Sequence, residues 1–163
     1  YNEDVSKKKN GSNISQSEIH KSYYSYTITI DLDKVGIDKN DKIEIENSEK
    51  AERVKKLLDA VKFLYRDIKG RRENLSPIFA IGGVYSIKNP FFENRVKCYN
   101  NMINIEAIKS VLNLDKEISD NTNVGLINGI FRNNDELINE LNAIDMSELF
   151  DKIKGEVDAY YKE

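Results

Sequence analysis

The stretch Pro77-Ile78-Phe79-Ala80-Ile81-Gly82-Gly83-Val84-Tyr85-Ser86-Ile87 decides how the chain is read. A proline opens an apolar run that lasts to Ile87. The Gly82-Gly83 pair inside it predicts a strand with a bulge or a point of close backbone approach. Such a run is the central strand of a sheet, and the neighbouring segments supply what packs on it.

Upstream, Ala51, Val54, Leu57, Leu58, Val61, Leu64 and Ile68 recur at three- and four-residue spacing. Ser48 as a cap, Glu49 and Glu52 in the first turn, and Lys69-Gly70 at the close predict an amphipathic helix. Before it, Tyr24, Tyr26, Ile28, Ile30 and Leu32 alternate with Ser25, Thr27, Thr29 and Asp31, the period of a half-buried strand from Ser22 to Leu32. Gly36 and the polar run Asp38 to Lys42 break that strand, and Ile43, Ile45 and Asn47 form at most a short extension.

Downstream, Lys88 to Arg95 reads as a loop that holds two adjacent phenylalanines, Phe91 and Phe92, which must dock somewhere. Val96 to Ile105 fits a strand, while Ile105, Ile108, Val111 and Leu112 fit a helix equally well. Val124 to Phe131 reads as a short strand and Glu136 to Leu141 as a helical segment. A closing helix starts at Asp145-x-x-Glu148 and aligns Met146, Leu149, Phe150, Ile153, Val157 and Tyr160 on one face. The order strand, helix, strand, strand, strand, helix predicts an α+β fold of ferredoxin-like or RNA-recognition type, an antiparallel sheet with packed helices.

At 163 residues the chain fits one domain with a real core. A charged fraction of 33% beside 39% hydrophobic residues describes an ordinary folding sequence. Residues 1–21 read as a flexible polar segment, with Lys7, Lys8 and Lys9 solvated in it, and residues 22–163 as the domain. The first residue is Tyr1, and the expectation is that the chain begins inside a longer gene product. No run approaches a membrane span and Tyr1 to Asn13 lacks the apolar block of a signal peptide, so a cytoplasmic location is expected. Cys98, the only cysteine, excludes an internal disulfide and a multi-cysteine metal cluster, and reads as a buried or half-buried inert thiol.

Catalytic chemistry has little to work with. His20 is the only histidine, Gly82-Gly83 lacks the lysine and hydroxyl of a phosphate loop, and the acidic residues are scattered over helix faces and loops. No catalytic residue, metal site or cofactor is expected. The informative residues sit in two polar-cationic stretches, Lys69 to Pro77 and Lys88 to Arg95, on either side of the central run. A fully extended run would hold them about 30 Å apart. Lys69, Arg71, Arg72, Asn74, Lys88, Asn89 and Arg95 have the chemistry to bind phosphate oxygens and 2′-hydroxyls without reading sequence, and Phe91 the ring to stack on an unpaired base or to dock a subunit. Arg71 and Arg72 are the strongest of these. A plainer reading has the arginines decorating a helix end and the phenylalanines packing. The net charge of −3 confines any nucleic-acid surface to a local groove.

The run Arg71 to Pro77 followed by Phe79 to Phe92 resembles the middle of the DevR family of CRISPR-associated proteins, the Cas seven-type backbone group of type I-B Cascade. The strand ending in Asp31-Leu32-Asp33-Lys34-Val35-Gly36 and the segment Val124 to Phe131 are similar to family segments in the same order, so the resemblance runs from about Ser17 to Leu141. It implies a modified RNA-recognition fold that polymerises along a CRISPR RNA, presents the guide's bases to target DNA, and contacts further copies of itself and other Cascade subunits. It implies no nuclease activity. Family members are longer, so the chain is expected to be the C-terminal portion, without the first strand and helix of the fold. Two rival readings remain: a metal-independent CRISPR RNA endoribonuclease using His20, which lacks the glycine-rich C-terminal loop of such enzymes, and an interaction module anchored by Phe91 and Phe92 without RNA binding.

Overall fold

A computed structural model describes residues 22–162. After a 3-10 turn at Leu32–Lys34, the elements are β1 (Ile37–Asp38), β2 (Ile43–Glu44), α1 (Asn47–Lys62), β3 (Tyr65–Ile68), β4 (Arg71–Asn74), β5 (Phe79–Gly82), β6 (Cys98–Tyr99), β7 (Met102–Ile103), α2 (Ile105–Leu112), α3 (Lys116–Asn121), β8 (Asn123–Leu126), α4 (Asn134–Leu141), β9 (Ile144–Asp145) and α5 (Met146–Lys162). The class is α+β, as the order of patterns predicts, and its small, mainly antiparallel sheets with five helices are compatible with an RNA-recognition or ferredoxin-like arrangement.

The centre is a three-stranded sheet in the order β5-β8-β9. β5 runs antiparallel to β8, from Phe79 opposite Leu126 to Gly82 opposite Asn123, and β9 joins β8 in parallel. All four residues of β8 are buried, so both faces of the strand are covered. On one side α2 and α4 contribute Ile108 and Leu137 to a cluster with Val124, Leu126 and Phe131. α5 packs its Leu149 against Gly125, where a Cβ would stand 2.7 Å from that leucine's own Cβ. α1 lies along α5 through Ala51, Val54, Val157 and Tyr161. The Tyr161 hydroxyl donates to the Leu32 carbonyl at 2.7 Å, and Lys55 pairs with Asp158 at 3.0 Å.

Side-chain caps fix the starts of α2, α3 and α5. Asn104 accepts from the Ala107 N–H at 3.1 Å, Asp115 from Glu117 at 2.8 Å, and Asp145 from Ser147 at 2.7 Å. The Asp145 cap is where the sequence places it. Asn133, buried, both accepts from and donates to the Ile103 backbone, at 3.1 and 2.9 Å, and so ties β7 to the start of α4.

Several local expectations are corrected. Residues 22–31 form neither strand nor helix: the alternation is real, but among the described residues no strand lies alongside to pair with it. Only its end is anchored, by Ile30 and Leu32 against the α1–α5 cluster. The first helix stops at Lys62 instead of reaching Ile68. Lys69 and Gly70 both have positive φ, 50° and 78°, the geometry of a two-residue hairpin turn, so the stretch expected to end a helix is the β3–β4 hairpin. Ser48 does not cap α1, whose N-cap is Glu46 without a side-chain bond.

The central run is a strand only over Phe79–Gly82, which accounts for about 13 Å of the 30 Å that a fully extended run would cover. Of the two meanings offered for Gly82-Gly83, close backbone approach is the one found: a Cβ on Gly83 would stand 1.7 Å from the Asn121 carbonyl oxygen. The strand expected over Val124 to Phe131 ends at Leu126. Val96 to Ile105 holds the β6–β7 hairpin, turned by Asn100 and Asn101 at positive φ, with α2 directly after it. Cys98 is exposed on that hairpin, not buried. On α5 the buried tyrosine is Tyr161, while Tyr160 is 39% exposed. Residues 1–21, with His20 and the lysine run, lie outside the described residues.

Candidate nucleic-acid interface

The β3–β4 hairpin carries the first cationic stretch, and the sequence builds it locally. Tyr65 and Ile68 favour extended backbone, the Lys69-Gly70 turn reverses the chain, and the register pairs Tyr65 with Asn74, Arg66 with Glu73, Asp67 with Arg72 and Ile68 with Arg71. At its base the Leu75 N–H donates to the Leu64 carbonyl at 2.8 Å. Every residue of the two strands is exposed except the half-buried Glu73, and among the described residues no other strand or helix packs substantially on them.

Paired residues share a face, so Tyr65, Asp67, Arg72 and Asn74 lie on one side and Arg66, Ile68, Arg71 and Glu73 on the other. On the first side, the Arg72 guanidinium sits 4.4 Å from the Tyr65 ring centroid. Asp67 holds it there, accepting from Nε at 3.1 Å and from the terminal nitrogen at 3.4 Å. On the second side, Arg71 is 3.8 Å from Glu73, an ion pair without a hydrogen bond, and its side chain is 78% exposed. Asn74 turns its Oδ1 to the Ser76 N–H at 2.9 Å. Arg66, Lys69, Arg71 and Arg72 against Asp67 and Glu73 leave the hairpin a net charge of +2 on a chain whose total is −3.

The second stretch is arranged differently. Lys88 is held by Asp33, at 2.6 and 2.7 Å, with Asp31 at 3.8 Å. The hydrogen bond to Asp33 pushes the Lys88 ammonium above its usual range, and Lys34 followed by Lys88 holds the Asp31 carboxyl below its own. The Ser86 N–H and hydroxyl both donate to one oxygen of Glu117, at 2.7 and 2.5 Å. Phe91 is half-buried, its ring edge-on to Tyr85 at 5.2 Å, and Phe92 packs on the cluster around Ile108. Asn89 and Arg95 are exposed, and Arg95 makes no ion pair among the described residues.

The structure therefore gathers Lys69, Arg71, Arg72 and Asn74 on one projecting element and leaves Lys88, Asn89, Phe91 and Arg95 on a separate loop strapped to the body. Arg66 and Tyr65 join the first group, and sequence reasoning missed both because it placed them inside a helix. The signal that finds them is the two-residue Lys69-Gly70 turn flanked by Tyr65-Arg66-Asp67-Ile68 and Arg71-Arg72-Glu73-Asn74. No group of three histidine, cysteine or acidic side chains among the described residues is placed to hold a metal ion, and no described helix is long and apolar enough to cross a membrane.

A family model described as the CRISPR-associated negative auto-regulator DevR/Csa2 matches residues 1–105, a span that includes the hairpin and the Lys88 loop. No curated protein and no solved structure matches the chain.

Proposed function

We propose, on the premise that this chain belongs to the CRISPR-associated DevR/Csa2 family, that it is a non-catalytic RNA-binding backbone subunit of a type I interference complex. It grips guide RNA through the β3–β4 hairpin and assembles with further copies and other subunits along that RNA. The observation that carries this reading is the exposed hairpin itself, four cations on a projecting ribbon with the Arg72 guanidinium laid over Tyr65.

The chemistry suits a backbone grip. Lysine and arginine bind phosphates whatever the base sequence, and an exposed aromatic ring accepts a base on its face. Sequence is then read by pairing between guide and target, so the protein needs only a local positive surface, in keeping with a net charge of −3. The half-buried packing of Phe91 on Tyr85 moves the stacking role first expected for Phe91 to Tyr65, which is 55% exposed.

The test is binding of a fluorescent single-stranded RNA carrying a CRISPR repeat across a salt series. Arg71→Ala/Arg72→Ala is expected to weaken binding about tenfold and to lower the slope of log K against log salt by about 1.4, two phosphate contacts at roughly 0.7 each. The RNA is expected to stay intact. Lys88→Ala in the same assay is expected to change affinity less than about threefold, because two carboxylates, Asp33 and Asp31, face its one ammonium, whereas the hairpin's cations exceed its carboxylates by two. Absence of binding at low salt, or full binding by the double variant, sinks the hairpin reading. Cleavage of the RNA sinks the non-catalytic one.

A further inference from the structure

Two carboxylates stand among the four cations of the β3–β4 hairpin, and the structure gives them different settings. Glu73 is 3.8 Å from Arg71, too far for a hydrogen bond, and the Arg71 side chain is left 78% exposed. Asp67 grips the Arg72 guanidinium from the side, one oxygen accepting from Nε at 3.1 Å and the other from a terminal nitrogen at 3.4 Å. The same guanidinium lies over the Tyr65 ring, 4.4 Å from its centroid. These three side chains meet because the register sets Asp67 opposite Arg72, while Tyr65, two residues before Asp67, shares its face.

We propose, resting on the reading of the hairpin as an RNA grip, that Asp67 is a positioning residue of that grip: it strengthens RNA binding, against the sign of its own charge, by holding Arg72 flat over Tyr65. Ordering a long side chain at the moment of binding lowers affinity by roughly two- to twelvefold. The side-on fork and the ring order this one beforehand. Asp67 occupies Nε and one terminal nitrogen, and among the described residues nothing bonds to the other, whose N–H groups stay available to a phosphate oxygen. With the Arg72 side chain still 66% exposed, the outward face of the guanidinium offers a plane on which an unpaired base stacks.

The opposing effect is smaller. Asp67 is itself 60% exposed, and charges more than about 8 Å apart in water are largely screened at physiological salt. Repulsion between this carboxylate and a phosphate beyond the guanidinium therefore lowers affinity by less than about twofold. Ordering outweighs repulsion, so the sign of the effect identifies the role.

The test is titration of the same fluorescent single-stranded RNA against variants of the whole chain. Asp67→Ala raises the hairpin's net charge from +2 to +3 and is nevertheless expected to weaken binding about threefold, the ordering loss less the relieved repulsion. Glu73→Ala makes the same change of charge, holds no guanidinium, and is expected to strengthen binding by up to about twofold. In an Arg72→Ala background there is nothing left to hold, so adding Asp67→Ala is expected to leave affinity unchanged or to raise it by up to about twofold. Arg72→Lys keeps the charge without the planar fork and is expected to lose at least about threefold in affinity with the salt slope unchanged. The positioning role is overturned, and the grip left standing, if Asp67→Ala binds as well as wild type or better. It is likewise overturned if Asp67→Ala weakens binding equally with and without Arg72, as a merely structural part in the hairpin would, or if Glu73→Ala weakens it as much. A wild type that binds no RNA at low salt removes the grip and the role together.

Discussion

Leu149→Ala is expected to lower the unfolding free energy by about 2–5 kcal/mol in urea denaturation, the range for emptying a fully buried leucine site. Leu149 is 1% exposed and joins Met146 and Phe150 in the cluster that seats α5 on the central sheet. What it touches there is a missing side chain. A Cβ at Gly125 would stand 2.7 Å from both Cβ and Cδ2 of Leu149 and 3.1 Å from its Cγ. The glycine in β8 is therefore the hole into which the leucine fits, and Gly125→Ala is expected to cost about 1–3 kcal/mol by overpacking. The double variant tests the geometry. Removing Cγ and Cδ2 relieves two of the three close contacts and leaves the Cβ–Cβ contact, so the two costs are expected to fall short of additivity by at least about 0.5 kcal/mol. Simple additivity would mean that α5 does not sit over Gly125 in this way.

The parts of this fold that could be read from sequence are those whose signal is local. Asp145 caps α5 and Leu149, Phe150 and Val157 are buried because a cap and a 3.6-residue period lie within a few turns of one another. The same period misled at residues 64 and 68, which continue the apolar face of α1 although the helix has ended at Lys62 and residues 65–68 are the first strand of a hairpin turned at Lys69-Gly70. There the turn chemistry outranked the periodicity. The alternation from Tyr24 to Leu32 failed for the opposite reason: a strand's pattern is local, but its partner is not, and hydrogen-bond pairing depends on what lies alongside. β9 had no readable signal, since two residues at the edge of a parallel pair carry no period at all.

The candidate site divides along the same line. Arg71 and Arg72 were legible as chemistry because a pair of arginines is informative wherever it sits. The roles of Tyr65 and Asp67, one beneath the guanidinium and one bonded to it, depend on the cross-strand register of a hairpin that the helix reading concealed. Lys88 and Phe91 were legible as residues and not as contacts. Their partners, Asp33 and Tyr85, are set by the way the loop folds back on the body.

The two adjacent glycines Gly82, the last residue of β5, and Gly83, just after it, give the sharpest contrast, because their environments differ completely. Gly83→Ala is expected to cost about 3 kcal/mol, at the upper end for overpacking, since its Cβ would stand 1.7 Å from the Asn121 carbonyl oxygen and 3.0 Å from the carbonyl carbon. Both are backbone atoms at the end of α3, so relief requires moving the chain and not rotating a side chain. The shift falls beside the closing pair of the sheet, Gly82 opposite Asn123. It also strains the contacts that follow, the Tyr85 hydroxyl on Thr122 at 2.9 Å and Ser86 on Glu117 at 2.7 Å. Gly82→Ala meets nothing within 4 Å and is expected to be neutral or to stabilise by about 0.5 kcal/mol, because glycine is a poor strand residue for reasons of chain entropy. Paired urea curves with unchanged slopes read both values. Folded Gly83→Ala protein is expected to keep its affinity for single-stranded RNA, since the proposed grip lies on a hairpin that β5 does not support. If both glycines tolerate alanine equally, the close approach of Gly83 to Asn121 is wrong. If Gly83→Ala loses RNA affinity while still folded, the grip extends into the Lys88 loop and the division between the two cationic stretches falls.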